Sequence, residues 1–188
     1  MNATMAAAIL VFSLAVGIQQ KKLASQEIQS SHDMSSCPMH EQHKAAAQDA
    51  HQQGVIERGD HVMGFSHDKA THHFALYPDG GAIDVLVNKP EDAATRDAIR
   101  SHFIHIVKMF AEGDFSAPML IHSQNPPGTE AMKQLRGQIQ YRLENTASGA
   151  RIRITTKNAG ALRAVHTFLR FQIRDHQTAD SQEVAHAP

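Results

Sequence analysis

One cysteine, no tryptophan, two tyrosines and a formal net charge of -1 over 188 residues define what this sequence does without. A single cysteine cannot close an intramolecular disulfide, so the fold must rest on its core in any compartment. With Lys+Arg 18 against Asp+Glu 19 there is no basic excess to meet a phosphate backbone, which excludes nucleic acid as the expected partner. Aromatic residues make up 5% of the chain, a thin supply for stacking bases or sugars. The length allows one sizeable core with appended segments, not a large multidomain enzyme.

No long hydrophobic run is present either. Met5 to Ile18 is almost wholly apolar, but its 14 residues fall short of the roughly 20 that span a bilayer. This reads as the hydrophobic region of a signal peptide over residues 1–18, with small residues at Ala15 and Gly17 for cleavage. The expectation is a periplasmic or secreted protein with no stable membrane insertion after signal removal. The stretch lacks a basic residue at its start, which is unusual for an export signal.

What the sequence does have is 14 His and 8 Met. Residues 19–60 are rich in Gln, Ser, Ala, His and Lys without a sustained apolar face, and read as a flexible linker in which Glu41 to His51 favours a short helix. Within it, His32, Met34, Cys37, Met39, His40 and His43 are closely spaced. Thiolate and thioether are soft donors and imidazole is borderline, so Met34, Cys37, Met39, His40 and His43 are candidate ligands for copper, with zinc as the alternative. The plainer reading is a polar linker whose residues act singly.

The remainder is patterned. Thr71 to Tyr77 is strand-like, Pro78-Asp79-Gly80-Gly81 is turn chemistry, and Ile83, Val85 and Val87 alternate. Lys89-Pro90-Glu91-Asp92 opens a helix that runs to Glu112 and closes at Gly113, with Ile99, Phe103, Ile106 and Phe110 as its stripe. A second hairpin follows through Tyr141, Leu143, Ile152 and Ile154. A second helix runs from Ala159, after Asn158, to His176, with Leu162, Val165, Leu169 and Ile173 inward. The predicted fold is α+β: a duplicated β-β-α unit over residues 61–178, forming a four-stranded antiparallel sheet with two helices on one face. Residues 117–128 are expected to be a connecting loop before a short helix, and 179–188 a frayed tail.

Four histidines of this region are candidate metal ligands. His102 and His105 stand three apart on the first helix, with Met109 a turn further. The strand period turns His72 inward with Phe74 and His73 outward. His122 arrives from the connecting segment. Two have a structural alternative: His102 as a buried, hydrogen-bonded core histidine and His72 as a residue that caps the edge of the core.

Two resemblances are carried by particular residues. Cys37-Pro38-Met39-His40 resembles a short heavy-metal-binding motif of bacterial copper and heavy-metal efflux proteins. The Gly64-Phe65-x5-Thr71-His72-His73-Phe74 motif, with Asp79-Gly80-Gly81, Pro126-Pro127-Gly128 and Arg151-Ile152-Arg153-Ile154-Thr155-Thr156, resembles an uncharacterised family of exported bacterial proteins. The second resemblance covers most of residues 60–180, implies export, and carries no activity.

Motifs of common enzyme classes are missing: there is no G-x-S-x-G, P-loop, dinucleotide fingerprint or H-E-x-x-H. The expected function is therefore non-enzymatic metal binding, copper sequestration or handling, with a metal ion and a metal-transfer protein as partners. One alternative is a metal-dependent hydrolase using His72, His102, His105 and His122 with Asp68 or Asp84 as base. The other is a ligand- or protein-binding module using an outer sheet face of Gln138, Gln140, Arg142, Arg151 and Arg153.

Overall fold

Pro78 and Asp79 form a two-residue turn between β1 (Ala70–Tyr77) and β2 (Gly80–Val87), and Tyr77 pairs with Gly80 at its mouth. Gly80 has φ +150 and its missing Cβ would strike the backbone at Ile154, so this corner admits no side chain. The second hairpin joins β3 (Ile139–Thr146) to β4 (Gly149–Thr156), and β2 pairs with β4. The result is one antiparallel sheet in the order β1-β2-β4-β3. The structure is a computed structural model and describes residues 38–185.

The two helices that cover the sheet each begin behind a capping side chain. Asp92 precedes α2 (Ala93–Glu112) and accepts from the Thr95 amide at 3.0 Å, while Gly113 ends the helix at φ 79. Asn158 precedes α5 (Ala159–Asp175) and accepts from the Ala161 amide at 2.9 Å. The predicted stripe Ile99, Phe103, Ile106 and Phe110 is buried; on α5, Val165, Leu169 and Ile173 are buried, Leu162 half-buried. Both helices cover one face of the sheet in a single core with Phe74, Leu76, Ile83, Val85, Ile152 and Ile154. α2 packs mainly on β3 and β4, and α5 mainly on β1 and β2, so each helix lies over strands distant from it in sequence. The α+β class and the four-stranded antiparallel sheet stand as expected; two hairpins are each followed by a long helix, with three short helical segments between α2 and β3, an order that does not by itself establish a duplicated unit.

On the opposite face the register aligns His73, Asp84, Arg151 and Glu144 across the four strands, a row of alternating donors and acids. Arg151 bonds Asp84 at 2.7 Å, and Arg153 binds Asp79 while lying 4.7 Å over the Tyr77 ring.

Three segments depart from the sequence reading. Residues 38–60, expected as linker, belong to α1 (Pro38–Met63), whose Val55, Gly59 and Met63 recur every four residues and are buried. Arg58 Nε donates to the Ile121 carbonyl at 2.8 Å, fixing this end of α1 on α3 (Ser116–His122). Residues 117–122, expected as loop, form α3; Pro118 falls in its first turn, where no amide partner is lost. It is followed by α4 (Thr129–Gln134). The tail from 179 is docked rather than frayed through Ala185. Asp180 accepts from the Phe74 amide at 2.8 Å, and Ala185 donates to the Leu76 carbonyl at 2.8 Å along the edge of β1.

Candidate functional site

The inward side of β1 and the inner faces of α1, α2, α3 and α5 meet at a small cavity of about 70 Å³. Its polar lining consists of His72, His102, His122, His176 and Gln172, with the Met63 thioether; the rest is aliphatic and aromatic, Phe74, Phe103 and Phe168 among it. The strand period puts His72 here, as expected, and sends His73 to the other face, where its Nδ1 lies 3.0 Å from Asp180. His72 Nε2 touches Met63 Sδ at 3.2 Å. The His72 and His176 rings are within 10° of parallel with centroids 5.4 Å apart, and His122 stands edge-on to His176 at 4.9 Å. Phe65 separates His72 from His102, at 6.4 and 6.0 Å from the two rings.

A groove of about 340 Å³ runs from the surface between α1, β1 and the end of α5. Met63, His72 and His176 line both groove and cavity, and so form the partition between them. Neither space is lined by a carboxylate.

The electrostatics follow from burial. Desolvation, then the neighbouring imidazoles of His102 and His73, hold His72 down to about 4. Desolvation and His105 push His102 to about 4, and desolvation with His72 and His122 pushes His176 to about 3 against the opposing pull of Asp175. These three imidazoles are neutral near pH 7, the form that offers a lone pair. Burial raises the Asp175 carboxyl, but bonds from His122 and His51 outweigh it and leave that group below the usual carboxylate range. His122 Nδ1 lies 2.5 Å from Asp175 Oδ2, and its Nε2 lies 3.0 Å from the side-chain amide of Gln172.

Of the expected ligands, His72, His102 and His122 converge on the cavity and His105 does not. Three residues past His102 a helical side chain has turned about 60° away, whereas the fourth, Ile106, returns to the core. His105 is exposed and its Nδ1 donates to the Ser101 carbonyl at 2.8 Å. His43 lies on the exposed stretch of α1. Met39 and His40 fall in the first turn of α1 and their side chains, like all of Met34 and Cys37, lie outside the described residues, as does the segment expected to be a signal peptide. Met63, Gln172 and His176 are not among the candidates read from the sequence. The four-residue recurrence ending at Met63, and the face shared by Leu169, Gln172 and His176, are the signals that locate them.

Among the described residues, no group of three or more His, Cys, Asp or Glu already stands in a metal-holding arrangement. No described helix is long and apolar enough to cross a membrane. No protein-family profile, curated protein or solved structure matches the chain.

Proposed function

We propose that this is an exported protein that binds and handles copper, or a similar soft to borderline transition metal, in the periplasm or outside the cell. The single observation that carries the reading is the Met63 thioether in contact with the His72 imidazole at 3.2 Å, at the inner end of a groove open to solvent. Thioether with neutral imidazole is a donor pair chosen by copper, not by hard cations. The Cys37-Pro38-Met39-His40 segment supplies further soft donors for capture, with zinc as the second metal it suits. The metal is cargo in this reading, and a transfer protein that receives it is the expected partner.

The test is copper(I) competition binding on the full chain against Cys37→Ser/Met39→Ala/His40→Ala. Loss of at least one bound equivalent in the triple variant supports the capture segment. Unchanged copper affinity and unchanged copper tolerance of the producing cells sink that role. Truncation at residue 60 is unsuitable, because it removes Val55 and Arg58 from the core contact of α1.

The alternatives draw less support. A hydrolase needs a base beside the histidines, yet Asp84 is paired with Arg151 on the far face of the sheet and Asp68 is exposed beside His67. An anion-binding outer face needs free guanidinium groups, but Arg142, Arg151 and Arg153 are each in an ion pair.

A further inference from the structure

We infer that the folded domain holds a site of its own for one soft monovalent cation, copper(I), liganded by Met63, His72 and His176 and backed by His122 and Gln172. This rests on the reading of the protein as a copper binder, and adds where in the domain, and in which oxidation state, the ion is held.

Three observations carry it. First, the three ligands are the partition between groove and cavity, so an ion arriving along the groove meets them before any other donor of the interior. With metal–nitrogen and metal–sulfur bonds of about 2.0 and 2.3 Å, an ion shared at an angle near 110° needs its donors about 3.5 Å apart. The Met63–His72 separation of 3.2 Å is a few tenths short of that, within reach of a flexible thioether. Two imidazoles sharing one ion at about 120° have ring centres roughly 5 to 6 Å apart, and those of His72 and His176 are 5.4 Å apart. His72 Nε2 already faces the thioether, and loading turns the His176 ring so that its nitrogen does the same.

Second, Gln172 is 4% exposed and its Nε2 has no partner. If His122 donates Nδ1–H to Asp175, its Nε2 keeps a lone pair and calls for the amide NH2 of Gln172, which leaves the amide oxygen unpaired instead. In that orientation the buried amide oxygen stands at the cavity wall without a partner, an acceptor that a cation completes, whereas an unpaired NH2 would not be completed by one. Asp175 fixes His122, and His122 in turn holds Gln172 at this wall.

Third, the donor set is uncharged. No carboxylate or thiolate lines groove or cavity, and Asp175 is already shared by His51 and His122. The cost of burying an ion rises with the square of its charge, so a dication meets about four times the desolvation of a monocation here, while the nearby Asp175, whose charge acts on His176, is engaged by His51 and His122 and offsets only part of it. The cavity therefore selects copper(I) over zinc(II).

The experiment uses the full chain carrying Cys37→Ser/Met39→Ala/His40→Ala, titrated with silver(I) as a redox-inert monovalent probe, with copper(I), and with zinc(II). The expected result is one retained equivalent of silver(I) or copper(I), with nitrogen and sulfur neighbours in the X-ray absorption spectrum and a shifted Met63 methyl resonance. Adding Met63→Leu, which conserves volume, weakens silver(I) binding at least tenfold with hydrogen-exchange protection of the sheet intact. If the triple variant binds neither monovalent ion while the unaltered chain does, the internal site is overturned and the capture reading survives. If the unaltered chain binds neither, both fall. Zinc(II) binding at the same methyl-shifted site with equal affinity overturns the charge argument. The spectrum and the methyl shift decide the ligand set even if Met63→Leu fails to fold.

Discussion

His51 Nε2 and Asp175 Oδ1 meet at 3.0 Å, joining the middle of α1 to the last residue of α5 across 124 positions of sequence. The other oxygen of the same carboxylate holds the buried His122. The two bonds are unequal in consequence. His51 is exposed, so its bond is screened and His51→Ala should cost at most about 1 kcal/mol. Asp175→Asn weakens the acceptor of a buried imidazole and should cost more, about 1 to 3 kcal/mol. Urea unfolding of the two variants and the double variant checks this; a His51→Ala loss equal to or above that of Asp175→Asn contradicts the asymmetry.

The docking of α1 can be tested at Val55, which is 1% exposed. Val55→Ala removes about two methylene equivalents from the core and leaves a void, for an expected loss of about 1.5 to 3 kcal/mol. Residues 42–50 are exposed, and their amides should exchange faster than those of residues 55–63 in the unaltered protein. Uniform exchange along α1, with no stability change in Val55→Ala, would mean that the helix does not pack.

Acid should destabilise the metal-free protein. His72 and His102 are pushed down to about 4 and His176 to about 3 in the folded state, whereas the unfolded chain takes these protons near 6.5. Above that value the groups contribute no difference. As pH falls below it the unfolded chain binds protons that the folded one refuses, so stability drains away until about pH 4, by several kcal/mol over the three. The melting temperature should drop steeply between pH 6.5 and 4.5, and His176→Phe should flatten the slope. A flat profile over that interval would show these imidazoles to be solvated.

Asp180 supplies the acceptor for the Phe74 amide at the edge of the sheet. Asp180→Ala should cost about 1 to 3 kcal/mol by leaving that donor and the neighbouring His73 without their partner. It also bares β1 as an edge for pairing between chains. Light scattering during heating should therefore rise earlier in the variant than in the unaltered protein, and coincident onset would argue that the tail contributes no protection.

Local rules were readable and distant ones were not. Asp92, Gly113 and Asn158 mark helix ends by chemistry confined to one turn, and the stripe from Ile99 to Phe110 follows from helical periodicity alone. α1 is hard to read because its fully buried face is Val55, Gly59 and Met63, one of them without a side chain, in a surrounding polar stretch. The tail is not legible because its anchors, Asp180 on the Phe74 amide and Ala185 on the Leu76 carbonyl, reach a strand more than a hundred residues away. At the site, alternation along β1 was enough to place His72 inside. Spacing alone does not place His105, which the rotation of the helix carries out of the cavity, and nothing local to α5 places His176 beside His72, since that approach joins residues 104 positions apart.

Helix α1 carries donors at both of its extremes, His40 in its first turn and Met63 as its final residue. At about 1.5 Å per residue those positions lie roughly 35 Å apart. The helix is thus a spacer as well as a wall: if the leading segment takes up copper as proposed, the helix keeps that ion from the thioether of the same chain. Passage from one to the other takes either a second molecule presenting its leading segment to this groove, or unwinding of the exposed turns before His51, where little packing resists it.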